Sequence, residues 1–295
     1  NKNLAMNNTK KKSPISWVPT AYFAMGLPFV VLNMVTVLMF KGLEVDDKLI
    51  TFWTSLILLP WTLKPLWSPF LELFRTKKFF VIVTQLITGV TFGLVAFALN
   101  LSHFFSISIA LLAIVAFSGA THDIACDGVY MSELSNEDQA KFIGWQGAFY
   151  NIAKILATGG LVYLAGYFIE LNADAGLLIA NKRAWMIILL ILSVTMILLG
   201  IYHLFALPST QSASSKKTIR SNKEVIKELG QVLMDFFRKT HITYYIFFII
   251  LYRFAEGFVM KIVPLFLKAD REMGGLGLNE KEIGLYYGTY GAAAF

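Results

Sequence analysis

Long apolar blocks alternate with short polar stretches along this chain, and each block is long enough to cross a membrane as a helix. A hydrocarbon layer about 30 Å thick needs about 20 apolar residues at a rise of about 1.5 Å each. The pattern predicts span one over 17–40, span two over 49–74, span three over 79–99, span four from about 107 to 134, span five over 142–168 and span six over 183–207. Residues 208–240 break the rhythm with a polar stretch carrying Lys216, Lys217 and Arg220. Ser221-x-x-Glu224 then forms a capping box, and Val225, Leu229, Val232, Leu233, Phe236 and Phe237 recur at helical spacing. That segment is expected to lie on the membrane surface as an amphipathic helix. Span seven covers 241–267, and a Gly-rich loop at 274–277 leads to Ile283 and span eight, inside which the chain stops at Phe295. The expected layout is a tail (1–15), a six-helix bundle (16–207), a linker (208–240) and the start of a second bundle (241–295), with the remainder expected beyond the C-terminus.

Composition agrees with this polytopic, all-α class. Of 295 residues, 56% are hydrophobic and only 15% charged, a balance soluble domains do not show. A net charge of +7 would suit nucleic acid, but the basic residues fall between the apolar blocks, where they set topology instead. They gather in the N-terminal tail (Lys10, Lys11, Lys12), after span two (Arg75, Lys77, Lys78) and in the linker, which places those segments in the cytoplasm. No cleavable signal peptide is read, because the first apolar block is too long and lacks a small-residue cleavage site. A single cysteine, Cys126, excludes an intramolecular disulfide or a cysteine metal site, and no cofactor is expected.

The candidate chemistry lies inside the spans. Asp123 and Asp127 sit four apart on one face of span four, with Asp123 roughly 15 Å deep. A carboxylate at a helix centre costs about 2.5–3.5 kcal/mol or more, so the pair must face a protein cavity. Lys154, deep in span five, is the expected partner of these aspartates, and His122 is a candidate member of the same proton relay. Lys64 lies roughly 15 Å from the basic end of span two, too deep for an ordinary interfacial lysine. Arg253 and Glu256 share a face of span seven, with Lys261 further along, while span six carries only His203 and is expected to be peripheral and lipid-facing. Gly26, Pro28 and Pro65 are candidate hinge or packing positions, and Gly89-xxx-Gly93 and Gly159, Gly160 and Gly166 are close-packing signals.

Six spans, a cytoplasmic linker and a fresh set of spans is the layout of two six-helix halves, as in the major facilitator superfamily. Within it the chain resembles the AmpG-type muropeptide permeases and the related acetyl-CoA transporters. The resemblance rests on Phe23-x-x-Gly26-Leu27-Pro28, Lys64-x-Leu66-Trp67-Ser68-Pro69, Asp123-Ile124-x-x-x-Asp127 with Glu133-Leu134, and Tyr252-Arg253-x-x-Glu256, in that order. Two positions depart from it: His122 stands where those permeases carry a glutamine, and Tyr130 replaces a basic residue. The resemblance implies a monomeric symporter of the bacterial inner membrane that imports peptidoglycan-derived muropeptides with protons. Asp123, Asp127, Lys154 and His122 would then couple the proton. Lys64, Arg253 and Glu256 would hold substrate charges, and Trp61, Trp67, Trp145 and Tyr150 would offer faces to sugar rings.

Three other readings stand beside this one. A permease for another anionic metabolite, such as an acetyl-CoA-like nucleotide or a peptide, fits the same residues. A membrane-embedded transferase holding Mg²⁺ on Asp123 and Asp127 would need a second acidic cluster, which the other spans do not supply. A non-transporting sensor is the third.

Overall fold

A computed structural model describes residues 12–68, 71, 76–208, 227, 230–231, 234–235 and 237–291, and at 249–250 and 253–256 it describes the backbone alone. Among the described residues there is no strand, and six helices are long and apolar enough to cross a membrane: Pro14–Gly42, Asp47–Leu66, Lys77–Ala98, Phe104–Glu133, Asn136–Leu171 and Leu177–Ala206. These are spans one to six. Span seven is Ile242–Lys268, and span eight begins with Glu280–Glu282 and continues as Ile283–Gly291. The linker at 209–226, and most of the amphipathic segment after it, lies outside the described residues.

Local chemistry sets the helix starts. Asp46 accepts hydrogen bonds from the Lys48 and Leu49 amides at the head of span two, Thr76 from Phe79 at span three, and Ser135 from Asp138 at span five. Asn279 and Glu282 make a reciprocal capping box at span eight. Below, the end of the bundle holding the start of span one is the tail side, and the end holding the loops after spans one, three, five and seven is the far side.

Span one is the most enclosed helix, with Trp17, Val18, Leu27, Val31, Leu32, Val37 and Phe40 essentially without exposure. Pro28 has no N–H to donate, and three residues later the helix widens into a π turn at Val31–Val35. Span two is not the unbroken helix expected over 49–74. Pro60 and Pro65 divide it into Asp47–Leu56, Leu59–Leu63 and a 3-10 turn, Lys64–Leu66, because neither proline can donate to the helical ladder. Span three packs between spans four and six. A Cβ on Gly89 would lie 2.7 Å from the Ile197 side chain and 2.9 Å from the Ser193 carbonyl, so the Gly89-xxx-Gly93 signal marks the seam with span six.

Span six therefore differs from its expected lipid-facing role. Trp185, Ile188, Leu192, Met196, Gly200 and His203 form a buried stripe at helical spacing, and only the other face, with Val194, Leu198 and Phe205, is exposed. His203 is an interior residue that joins four spans. Its Nδ1 lies 2.8 Å from Gln85 Oε1 and its Nε2 2.9 Å from Thr20 Oγ1, while Gln85 Nε2 lies 2.9 Å from His122 Nε2. His203→Ala is expected to cost about 1–3 kcal/mol, because the buried Gln85 amide loses a partner. Thermal unfolding of detergent-solubilised protein checks it, and an unchanged midpoint would show that the chain of bonds holds nothing.

Spans seven and eight dock on the first six through their far-side parts. Span five meets span eight backbone to backbone: a Cβ on Gly288 would lie 2.1 Å from the Thr158 carbonyl oxygen, and one on Gly159 would lie 3.2 Å from the Gly288 backbone. Lys281 pairs with Glu170 across this seam. Lys268 and Glu280 tie the ends of spans seven and eight to each other. Toward the tail side, Tyr244, Phe247, Leu251 and Tyr252 of span seven are exposed.

Candidate functional site

The site is built where spans one, two, four and five meet. Trp61 and Lys64, three apart at the broken end of span two, both reach the same oxygen on span four. Lys64 Nζ donates to Asp123 Oδ2 at 2.6 Å, and Trp61 Nε1 donates to it at 2.9 Å. The Lys64 side chain keeps 27% of its surface and the Asp123 side chain 11%, so the ion pair is covered without being sealed. Trp61 can approach this closely because Gly119 has no side chain: a Cβ there would stand 2.9 Å from the indole ring. The second oxygen, Asp123 Oδ1, is buried and has no hydrogen-bond partner.

One turn toward the tail side, Asp127 is in a different setting. It is exposed, and its Oδ1 accepts from the Tyr22 hydroxyl of span one at 2.8 Å. Tyr22 in turn meets Tyr130 edge to face at 5.9 Å. The two carboxylates thus share a helix face, one paired in the interior and one open. Tyr22→Phe is expected to cost about 1 kcal/mol through the lost bond to Asp127 while leaving the Lys64 pair intact. Thermal unfolding of the purified variant measures this, and a loss as large as that of a Lys64 variant would mean the two carboxylates act as one unit.

The pairing of Lys154 with the aspartates is corrected here. Lys154 is exposed, and the ammonium on Asp123 comes from Lys64. Helical phase explains this. Span five buries Ala153, Ala157 and Leu161, four apart, and Lys154 lies about 100° off that stripe. Tyr150, two turns before Ala157, packs instead against Gly26, where a Cβ would lie 3.0 Å from its ring, so Gly26 is a close-packing position between spans one and five. Trp67 tilts against Phe117 of span four at 4.8 Å, with its buried indole N–H unpartnered. Trp145 stacks on Phe149 of its own helix at 5.9 Å and is exposed. Pro28 is buried in span one, while Pro65 is exposed in the turn that carries Lys64.

His122 lies beside Asp123 in sequence but turns toward span three. Its Nε2 meets Gln85, and its Nδ1 is buried without a partner. Arg253 and Glu256 are in the helix of span seven, and their side chains lie outside the described residues. Sequence reading missed Trp61 as a ligand of Asp123, Tyr22 as the partner of Asp127, and Gln85 as the link between two histidines. A lone Gln in an otherwise apolar span was the available signal for the last.

The family model described as Major Facilitator Superfamily matches residues 20–295. Among solved structures, the chain is similar to a bacterial homolog of the human lysosomal transporter Spinster, in an inward-facing and unoccupied conformation. The TM-score is 0.67 at 13% identity, covering 97% of this chain and 60% of that one. No curated protein matches by sequence.

Proposed function

The chain belongs to the Major Facilitator Superfamily, which makes it an integral membrane transporter rather than an enzyme, and from that premise we propose that it is a proton-coupled importer of an anionic solute, muropeptides first among the candidates. The observation that carries this reading is the Lys64–Asp123 ion pair in the membrane interior, with Asp123 Oδ1 buried and unbonded. A carboxyl taken out of water favours its neutral form, and an ammonium beside it favours the charged one. When the substrate's carboxylate draws Lys64 away, Asp123 loses its counter-ion and takes a proton, so substrate and proton load together. When the substrate leaves, Lys64 returns and the proton is expelled toward Asp127, which is exposed one turn nearer the tail side. Lys64 thus takes the part that sequence reading gave to Lys154.

In this proposal the tail side is cytoplasmic, the membrane is the bacterial inner membrane, and the arrangement with spans five and eight in backbone contact on the far side is taken as the inward-facing state. Trp67 and Tyr150, with Arg253 and Glu256, are the groups proposed to meet the rest of the substrate. A permease for another anionic metabolite is favoured by one observation. An apolar cavity of about 530 Å³, lined by Trp53, Ile57, Pro60, Phe105, Ile109 and Ala113, lies between spans two and four on the far side of the ion pair. A muropeptide has little to put there, whereas an anion with an apolar arm does.

The test is uptake of labelled anhydro-muropeptide by cells making the full-length protein, with and without a protonophore. Uptake that the protonophore abolishes supports the proposal. Membrane expression without uptake discards the muropeptide, and unlabelled anions carrying apolar arms are then assayed in its place.

A further inference from the structure

Lys261 of span seven is buried, at 4% exposure, and among the described residues no carboxylate lies within ion-pair distance of it. Its ammonium donates instead to two backbone carbonyls of span one, Asn33 O at 3.1 Å and Leu32 O at 3.5 Å. Both belong to the π turn Val31–Val35, where the widened helix leaves carbonyls available. The contact joins the first six spans to spans seven and eight on the far side of the ion pair. A cation with no counter-ion among the described residues is an expensive way to tie two helices together, since an uncharged residue of similar volume would avoid its desolvation. Such a charge is accounted for if it is used in another arrangement of the same chain.

We propose that Lys261 is a parked anion-binding group: with the far side closed its ammonium rests on the span-one carbonyls, and when the far side opens it is released to receive the substrate's negative charge. Opening must break this contact, because the two partners sit on the halves that separate. The freed ammonium then stands in the far-side entrance, at a depth roughly 10 Å from the end of span seven at Lys268. An arriving carboxylate or phosphate pairs with it, and closure returns it to the Leu32 and Asn33 carbonyls as the anion moves on to Lys64. This rests on the reading of the chain as an alternating-access carrier of an anion.

The experiment uses the full-length protein with Lys261→Cys. The only natural thiol in the present sequence, Cys126, is buried at 1% exposure and is removed by Cys126→Ala. A membrane-impermeant thiol reagent applied from the far side is expected to modify the introduced thiol, because position 261 is exposed there for part of each cycle. Absence of modification in expressed, membrane-inserted protein overturns the proposal, and this arm needs no substrate. The unmodified variant is expected to show a KM for the transported anion raised about tenfold with kcat within about twofold. An aminoethyl thiosulfonate, which rebuilds an ammonium at the end of the side chain, is expected to return KM toward the parent value, while a neutral methyl reagent does not. Equal KM in all three forms overturns anion binding. If Lys261→Cys does not insert, Lys261→Gln carries the KM arm, and an unchanged KM there overturns the proposal as well. A parent protein that moves no muropeptide, while its Lys261→Cys variant is modified at position 261, counts against the substrate assignment alone.

Discussion

Lys64→Met is expected to lower the stability of the solubilised protein by about 3–5 kcal/mol and to abolish uptake, and adding Asp123→Asn is expected to return most of the stability and none of the uptake. The asymmetry follows from where the pair sits. Lys64 donates to Asp123 at 2.6 Å, and the aspartate's other oxygen is already buried without a partner. Removing the lysine leaves one hydrogen bond, from Trp61, to hold a carboxylate in the interior. Breaking one member of a buried pair costs about 3–5 kcal/mol because the survivor is left uncompensated, whereas removing both charges is close to neutral. Uptake does not recover, because the double variant has neither a group to carry the proton nor one to hold the substrate's charge. A thermal unfolding scan of the single and double variants decides it. If Lys64→Met unfolds at the wild-type temperature, the ion pair does not hold span two to span four, and the proposed coupling site fails with it.

Asp123→Asn alone separates the proton from the fold. The side chain keeps its shape and can still meet Trp61, and Lys64, at 27% exposure, retains access to water for its ammonium. The expected result is folded protein whose uptake no longer responds to a protonophore.

Much of this architecture was legible in the order of apolar blocks, because a bilayer demands long helices and leaves little else for an apolar sequence to do. Spans three and four were found within a few residues, and the depth of Asp123 and Lys64 marked both as requiring partners. Which partner was not legible. Depth alone ranks Lys64 and Lys154 alike, and the choice is made by rotation about the helix axis, which for span two depends on the turn that Pro65 imposes. Span six shows the same limit: its stripe from Trp185 to His203 is hidden in a helix apolar on all sides, so hydrophobicity could not separate the face on span three from the face on lipid. The Tyr22 bond to Asp127 and the Gln85 link between two histidines are contacts between spans far apart in sequence, and no local pattern encodes them.

Gly288→Ala is expected to hold the far side open, reducing uptake at least tenfold while the protein still folds. A Cβ at position 288 would stand 2.1 Å from the Thr158 carbonyl oxygen, 2.3 Å from its carbon and 2.4 Å from the Gly159 nitrogen. All three are backbone atoms of span five, so no rotamer change can make room, and the two helices must part. That seam also carries the hydrogen bond from Thr158 to the Gly288 carbonyl and lies beside the Lys281–Glu170 pair, both of which stretch if the helices separate. Gly160→Ala is the control. It lies on the same helix, yet a Cβ there meets only the Leu156 side chain at 3.2 Å, which can turn aside. The reporter is Ile283→Cys in a Cys126→Ala background, since Ile283 is fully buried at the head of span eight. Far-side labelling by an impermeant maleimide should rise several-fold with Gly288→Ala and stay at the parent level with Gly160→Ala. Labelling that does not change in the Gly288 variant would mean that spans five and eight do not form the far-side closure, and that the carrier shuts elsewhere.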